Sequence, residues 1–384
     1  MRIVGIICEY NPFHRGHQRQ INLIRELEGP DCGIVCLMSG NFVQRGHPAI
    51  LERSLRARAA IECGADLVLE LPLATCLSSA EGFAAGGVRI LGDFCHSLCF
   101  GAEDAQAEKL MSVARALLSP EFPPALRTEL DRGLSFPAAR AKALETMGLD
   151  SQVLATPNNI LGVEYCKAII HQNNAMEPMP IHRPGDYHNP LADLSNPSAT
   201  AVRGRMLRGQ SWQEFVPSAA GHVFENATLH DLSAGERAIL CRMRTMTEAE
   251  FETLPHGSEG LWRKLMHASH SCATLEEIAC AVKSKRYTRS RIDRMILCAF
   301  LGLTQQDLDT PVPYARTLAF NNKGREILKT ARKHGLFPNI GKKVDHPYQA
   351  LEDRANALYG LFAEHAPTAP NQKSRVFYQD STDK

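Results

Sequence analysis

Ile3-Val4-Gly5-Ile6-Ile7-Cys8-Glu9-Tyr10-Asn11-Pro12-Phe13-His14-Arg15-Gly16-His17 is the stretch that decides the fold. Its apolar opening, Ile3 to Ile7, predicts a buried strand, Asn11-Pro12 predicts a turn, and Ile21, Leu23, Ile24 and Leu27 predict a helix from near Gly16. A second strand, Gly33 to Met38, follows at the spacing of a βαβ unit, about 30 residues on. The alternation continues with a helix over Ala49 to Cys63 stopped by Gly64, a strand over Asp66 to Leu71, a helix over Ser78 to Leu91 and a strand over Ser97 to Phe100. Beyond these, helices are expected over Glu103 to Leu118, Ala125 to Met147 with a break near Pro137, and Leu161 to Gln172, then a strand over Met179 to His182 and a helix capped by Ser198. The fold class that follows is α/β, a doubly wound parallel sheet.

The pattern changes near Phe215. From Asn226 onward the periodicity is helical, which predicts an α-helical domain over 221–367 after an α/β domain over 1–220, and the polar stretch 368–384 is expected to be a disordered tail. No apolar run nears the ~20 residues that span a bilayer and no signal-peptide layout is present, so a cytoplasmic protein without a membrane partner is expected. Most of the 12 cysteines sit inside apolar patterns as small hydrophobes, and no CxxC occurs, so no structural zinc site is expected and no residue is assigned to a metal. A net charge of +1 means that any nucleic acid must be held by a local patch rather than by a generally basic protein.

The chemistry concentrates in three places. His14 and His17 lie three residues apart at a helix entry with Gly16 between them, a layout suited to a triphosphate: imidazoles donate to phosphate oxygens, glycine permits close approach, and the helix end favours anions. Neither GxxxxGK[ST] nor GxGxxG occurs. Ser198-Ala199-Thr200-Ala201-Val202-Arg203 offers a second helix entry, with two hydroxyls and an arginine for β- or γ-phosphate oxygens; on its own it could be a plain cap. Lys283, Lys285, Arg286, Arg289, Arg291 and Arg294, interrupted by Tyr287 and opposed in sequence only by Asp293, suit an RNA: the cations follow phosphates and the tyrosine stacks on a base. Asn41, Gln44 and Arg45 follow the second strand and could close over a small substrate, and Glu103 with Asp104 reads better as a helix start than as a magnesium site.

HRGH and SATAVR resemble the HxGH and SxTxxR-type signatures of the nucleotidyltransferase superfamily. GIICEYNPFHRGH (5–17), MSGNFVQRGHPAI (38–50), GADLVLELP (64–72), SSAEGFAAGGV (78–88), FGAED (100–104), PNNILGVEY (157–165), KSKRYTRSR (283–291) and YARTLAFNNKGR (314–325) resemble one member family, the bacterial tRNA(Met) cytidine acetate ligases. The resemblance implies activation of acetate by ATP, as its magnesium complex, to acetyl-adenylate and pyrophosphate. Transfer to N4 of the wobble cytidine of elongator tRNA(Met) then follows, with no protein partner and no covalent enzyme intermediate. It also implies an ATP site made of Ile7-Cys8-Glu9-Tyr10-Asn11-Pro12-Phe13-His14-Arg15-Gly16-His17-Gln18-Arg19-Gln20, Gly101, one of Asn158 and Asn159, and Arg183, with His14, His17, Ser198, Thr200 and Arg203 nearest the chemistry. Two other readings stay open: a small-molecule adenylyltransferase of the pantetheine-phosphate or nicotinamide-mononucleotide type, and a non-catalytic nucleotide-dependent RNA-binding protein.

Overall fold

The computed structural model describes residues 1–183, 197–284, 286–312, 314–334, 347–367 and 376–380. Its centre is a seven-stranded sheet in the order β7-β6-β1-β2-β5-β8-β9, formed by β1 (Ile3–Cys8), β2 (Gly33–Ser39), β5 (Leu67–Leu71), β6 (Ser97–Ala102), β7 (Glu177–His182), β8 (Arg316–Asn321) and β9 (Phe377–Gln379). Between β2 and β5 a small antiparallel ribbon intervenes, β3 (Phe42–Val43) with β4 (His47–Pro48). β1 is flanked by β2 and β6, both parallel to it, so its carboxyl end opens at the centre of the sheet, where ligands of open α/β sheets bind.

Strand composition explains the layering. All of β2 is buried, and its alternate side chains enter different cores: Val35 and Leu37 pack on one face of the sheet, Ile34, Cys36 and Met38 on the other. A strand covered on both faces reads as a continuous apolar run, which is why GIVCLM carries no polar alternation. A third core lies among the C-terminal helices and includes Ile278, Met295, Phe300 and Phe362, closed against Phe42, Leu73 and Leu77 of the first half.

Three sequence expectations are corrected here. The region 221–367 is not wholly helical: Arg316–Asn321 returns to the sheet as β8, antiparallel to β5. Its alternation sends Ala319 to one core and Phe320 to the other, a two-sided burial signature too short to stand out between helical patterns. Asn321 caps the following helix, Asn322–Ala331, and also holds Asp66 through its side-chain amide at 2.9 Å, so strand and helix are locked to the start of β5. The stretch 368–384 likewise contributes β9, parallel to β8. Finally, the helix expected from Ala49 begins at Arg53; the Ala49 and Ile50 N–H groups donate to Asn41 O (2.9 Å) and Asn11 Oδ1 (2.8 Å), pinning that stretch to the loops after β2 and β1.

Candidate active site

α1 (Arg15–Glu28) starts directly after the loop that leaves β1, and its first turn is capped by the two histidines themselves. His14 sits at the N-cap with extended backbone, and its Nδ1 accepts the Gly16 N–H at 3.1 Å. His17, three residues on, returns the favour: its Nδ1 accepts the His14 N–H at 3.2 Å. The rings stack with centroids 3.7 Å apart. Gly16 is required by this packing, since a Cβ there would lie 2.9 Å from the His14 ring.

The reciprocal cap fixes the protonation of both rings. Each Nδ1 is an acceptor, so each neutral imidazole carries its proton on Nε2. Burial, reinforced by the Arg183 and Arg203 guanidinium groups, lowers the pKa of His14 to about 3. His17 is driven well below its ordinary value by burial, by His14 and by Arg183. Both rings are therefore neutral N–H donors near pH 7, and His14 Nε2 is buried without a hydrogen-bond partner among the described residues. A buried donor of this kind costs free energy unless a ligand meets it.

The loop behind them is held by Arg56, Gln44 and Arg203. Arg56 of α2 (Arg53–Glu62), fully buried, donates to Glu9 O (2.6 Å), Leu51 O (2.9 Å), Ser39 O (3.1 Å) and Gly40 O, tying the carboxyl ends of β1 and β2 together. Gln44 N donates to Glu9 Oε1 at 3.0 Å. Arg203 Nη1 donates to Asn11 O at 2.7 Å while its Nη2 donates to Thr200 Oγ1 at 3.2 Å. The helix Ala199–Leu207, capped by Ser198 as its sequence predicts, is thus drawn against the histidine turn.

These elements enclose a cavity of about 430 Å³, within the range of small-molecule sites. Of the residues expected at the ATP site, Ile7, Cys8, Glu9, Tyr10, Asn11, His14, His17, Gln20, Gly101, Asn158 and Arg183 line it, together with Ser198, Thr200 and Arg203. Arg15, Gly16 and Arg19 line a smaller adjoining cavity that shares His14, His17, Gly101 and Arg183. Pro12, Phe13 and Gln18 line neither; Phe13 is core, and Gln18 donates to Cys63 O at 2.8 Å. The asparagine pair separates. Asn159 is buried and spent within the protein, its Oδ1 accepting from Asp104 N (3.0 Å) and its N–H donating to Glu103 (2.9 Å), whereas Asn158 faces the cavity. Glu103 starts no helix of its own; its carboxylate collects Thr156 Oγ1 and the Asn158 and Asn159 N–H groups, capping the helix Pro157–His171. Among the described residues no cluster of three or more His, Cys, Asp or Glu is placed to hold a metal.

The basic cluster looks different once folded. Arg286 pairs with Glu259 and Arg289 with Glu276, acidic partners remote in sequence, and Arg289 also pairs with Asp293 one turn along its own helix. Arg291 donates to His256 O (2.9 Å) and Ser258 Oγ (2.9 Å). Arg294 is 8% exposed and turned inward, donating to Gln44 O at 3.3 Å. Tyr287 is buried too, with the Arg291 guanidinium 5.0 Å from its ring centroid, so the expected base-stacking surface is covered by the protein's own cation. Lys283 is exposed, and Lys285 lies outside the described residues.

Other cavity residues carried no assignment in the sequence. His47 and Pro48 of β4 line it beside Gln44 and Arg45, and so do Tyr165, His230 and Asp231. His47 stands in the loop after β2, at a sheet edge where ligands bind, and that position was its available signal. His230 and Asp231 had none, because only the packing of the C-terminal helices brings them there. Asn41, by contrast, is structural: its Oδ1 accepts from Arg53 N (2.9 Å) and its amide donates to Asn356 (3.0 Å).

Comparison with known proteins places the chain in a family. The family model described as HIGH Nucleotidyl Transferase matches residues 1–374. A tRNA(Met) cytidine acetate ligase of Acetivibrio thermocellus is 35% identical over 90% of this chain and 89% of its own length, and one of Clostridium acetobutylicum is 36% identical over 93% and 94%. The crystal structure of Thermotoga maritima TmcAL superposes with a TM-score of 0.90 at 28% identity, covering 99% of this chain and 100% of that one. Its form bound with alpha-thio ATP gives 0.88 over the same shares.

Proposed function

The chain belongs to the HIGH nucleotidyl transferase family, and from that premise we propose that it is an ATP-dependent tRNA-modifying ligase joining acetate to the wobble cytidine of elongator tRNA(Met). In the first half-reaction an acetate oxygen attacks the α-phosphorus of ATP, bound as its magnesium complex; acetyl-adenylate forms and pyrophosphate leaves. In the second the N4 amine attacks the acetyl carbon, the anhydride bond breaks and AMP departs.

The observation that carries the reading is the reciprocal histidine cap, which presents two neutral Nε2–H donors to a cavity beside Ser198, Thr200 and Arg203. Preorganised donors of this type stabilise the charge that develops on the α-phosphate and the departing pyrophosphate. Arg203 and the two hydroxyls serve the β- and γ-phosphate oxygens, and Arg183 a further phosphate edge. Asn158, whose amide N–H already serves Glu103 at 2.8 Å, offers its carbonyl oxygen to an adenine or ribose donor. Gly101, at the carboxyl end of β6, leaves room for the nucleotide. No helix among the described residues is long and apolar enough to cross a membrane; the proposal places the enzyme in the cytoplasm. A small-molecule adenylyltransferase would share the histidines, but relatives aligned along nearly the whole chain favour the tRNA ligase.

Nucleoside mass spectrometry of tRNA(Met) from cells with and without the gene tests the substrate. N4-acetylcytidine should vanish with the gene; unchanged modification would refute the assignment.

A further inference from the structure

The two-step reading leaves one chemical task without a residue: the attacking amine must lose a proton. The cavity's other titratable groups are engaged in holding the fold or are poorly matched to the task. His14 and His17 have both Nδ1 lone pairs engaged by backbone N–H groups and protons on Nε2, so they donate and cannot accept. Glu9 Oε1 accepts from Gln44 N, and Asp231 caps the helix Leu232–Thr245 through Ser233. His230, whose Nδ1 has no hydrogen-bond partner among the described residues, is stacked on Tyr359 with ring centroids 4.0 Å apart, and burial lowers its pKa to about 4, which makes it a weak base. Burial pushes the Cys8 thiol and the Tyr10 hydroxyl upward, further from ionisation.

His47 differs. It lines the cavity on β4, is half-buried, and its Nε2 lies 3.8 Å from Asp293 Oδ2, while Asp293 Oδ1 is held by Arg289 Nε at 2.8 Å. The ribbon that carries it is seated on the helix Arg289–Leu301: Gly46 has φ +79°, and a Cβ there would come within 2.5 Å of the backbone at Asp293 and Arg294. At 3.8 Å the carboxylate is an ion-pair neighbour of Nε2 rather than its hydrogen-bond partner; its charge favours the tautomer with the proton on Nε2, which leaves Nδ1 as the acceptor. We propose that His47 accepts the proton of the attacking cytidine amine, with Asp293 as its positioning residue. This rests on the ligase reading. In the step, the N4–acetyl bond forms, the acetyl–oxygen bond to AMP breaks with its electron pair going to AMP, and the N4 proton passes to the imidazole. Burial lowers the pKa of His47, Asp293 opposes that, and Arg203, Arg289 and Arg45 add to the lowering, so the ring is a neutral base near pH 7.

The test uses the full-length enzyme in two assays: pyrophosphate release from ATP and acetate, and single-turnover acetyl transfer from supplied acetyl-adenylate to a tRNA(Met) transcript. His47→Gln should slow transfer about 10²- to 10⁴-fold and remove the acidic limb of its pH profile, a far larger loss than that in pyrophosphate release. His47→Glu should recover part of the transfer rate, and Asp293→Asn should shift the limb. Transfer at the wild-type rate, an unchanged acidic limb, or equal loss of both half-reactions would overturn the assignment. A wild-type enzyme that transfers no acetyl group would instead overturn the ligase reading, and this inference with it.

Discussion

The histidine turn at 14–17 and the arginine cluster at 283–294 are both dense in nitrogen donors, yet they use them in opposite directions. At the turn, the backbone takes the inner face of each imidazole and leaves the outer N–H groups for a ligand. In the cluster, carboxylates and carbonyls of the protein take much of the charge first: Glu259 from Arg286, Glu276 and Asp293 from Arg289, Gln44 O from Arg294. In the proposed function the first region meets phosphate; the second is largely a joint that fastens the helical region to the active-site ribbon. Motif density alone therefore does not identify a binding surface. What matters is how many donors remain after the fold has satisfied its own acceptors.

That contrast can be broken most sharply at the turn. His17→Ala should reduce pyrophosphate release from ATP and acetate by about 10²- to 10³-fold, as expected for loss of one preorganised donor; a loss below tenfold would mean the imidazoles are mainly a helix cap. Arg56→Met, measured by urea unfolding, should cost about 3–5 kcal/mol by orphaning buried carbonyls at Glu9, Ser39, Gly40 and Leu51.

Acid titration sharpens the comparison further. The folded pKa of His14, about 3, lies below its ordinary 6.5, so the unfolded chain binds more protons between those values. Its contribution to stability is full above about pH 6.5 and is lost as the pH falls toward 3, and His14→Gln should flatten that dependence in melting curves. The smallest effects belong to the cluster. Lys283→Ala should lower the salt slope of tRNA binding by about one, whereas Arg294→Ala should change thermal stability and leave that slope nearly intact. Equal slopes for both variants would restore the cluster as a uniform RNA surface.

Much of this was legible in the sequence where the determinants are local. The strands β1, β2 and β5 are apolar runs, Ser198 caps its helix as read, and the histidine pair needs only residues within three positions to define itself. β8 and β9 were not legible, because β8 pairs with β5, far away in sequence, and β9 in turn pairs with β8. The same reason hid the neutralisation of the cluster: Asp293 was visible at i+4 from Arg289, but Glu259 and Glu276 arrive from other helices. It also hid the division between Asn158 and Asn159, which turns on the Glu103 carboxylate and the Asp104 N–H. His47 stood inside a quoted motif, but its partner Asp293 is brought to it by folding alone.

The central claim is that the histidine turn activates acetate for transfer to RNA. Purified protein incubated with ATP, labelled acetate and a tRNA(Met) transcript measures it directly. The account predicts one pyrophosphate and one AMP released per labelled N4-acetylcytidine recovered from the wobble position. Pyrophosphate release with the adenylyl group retained in a dinucleotide product, or no label in the RNA, would contradict it.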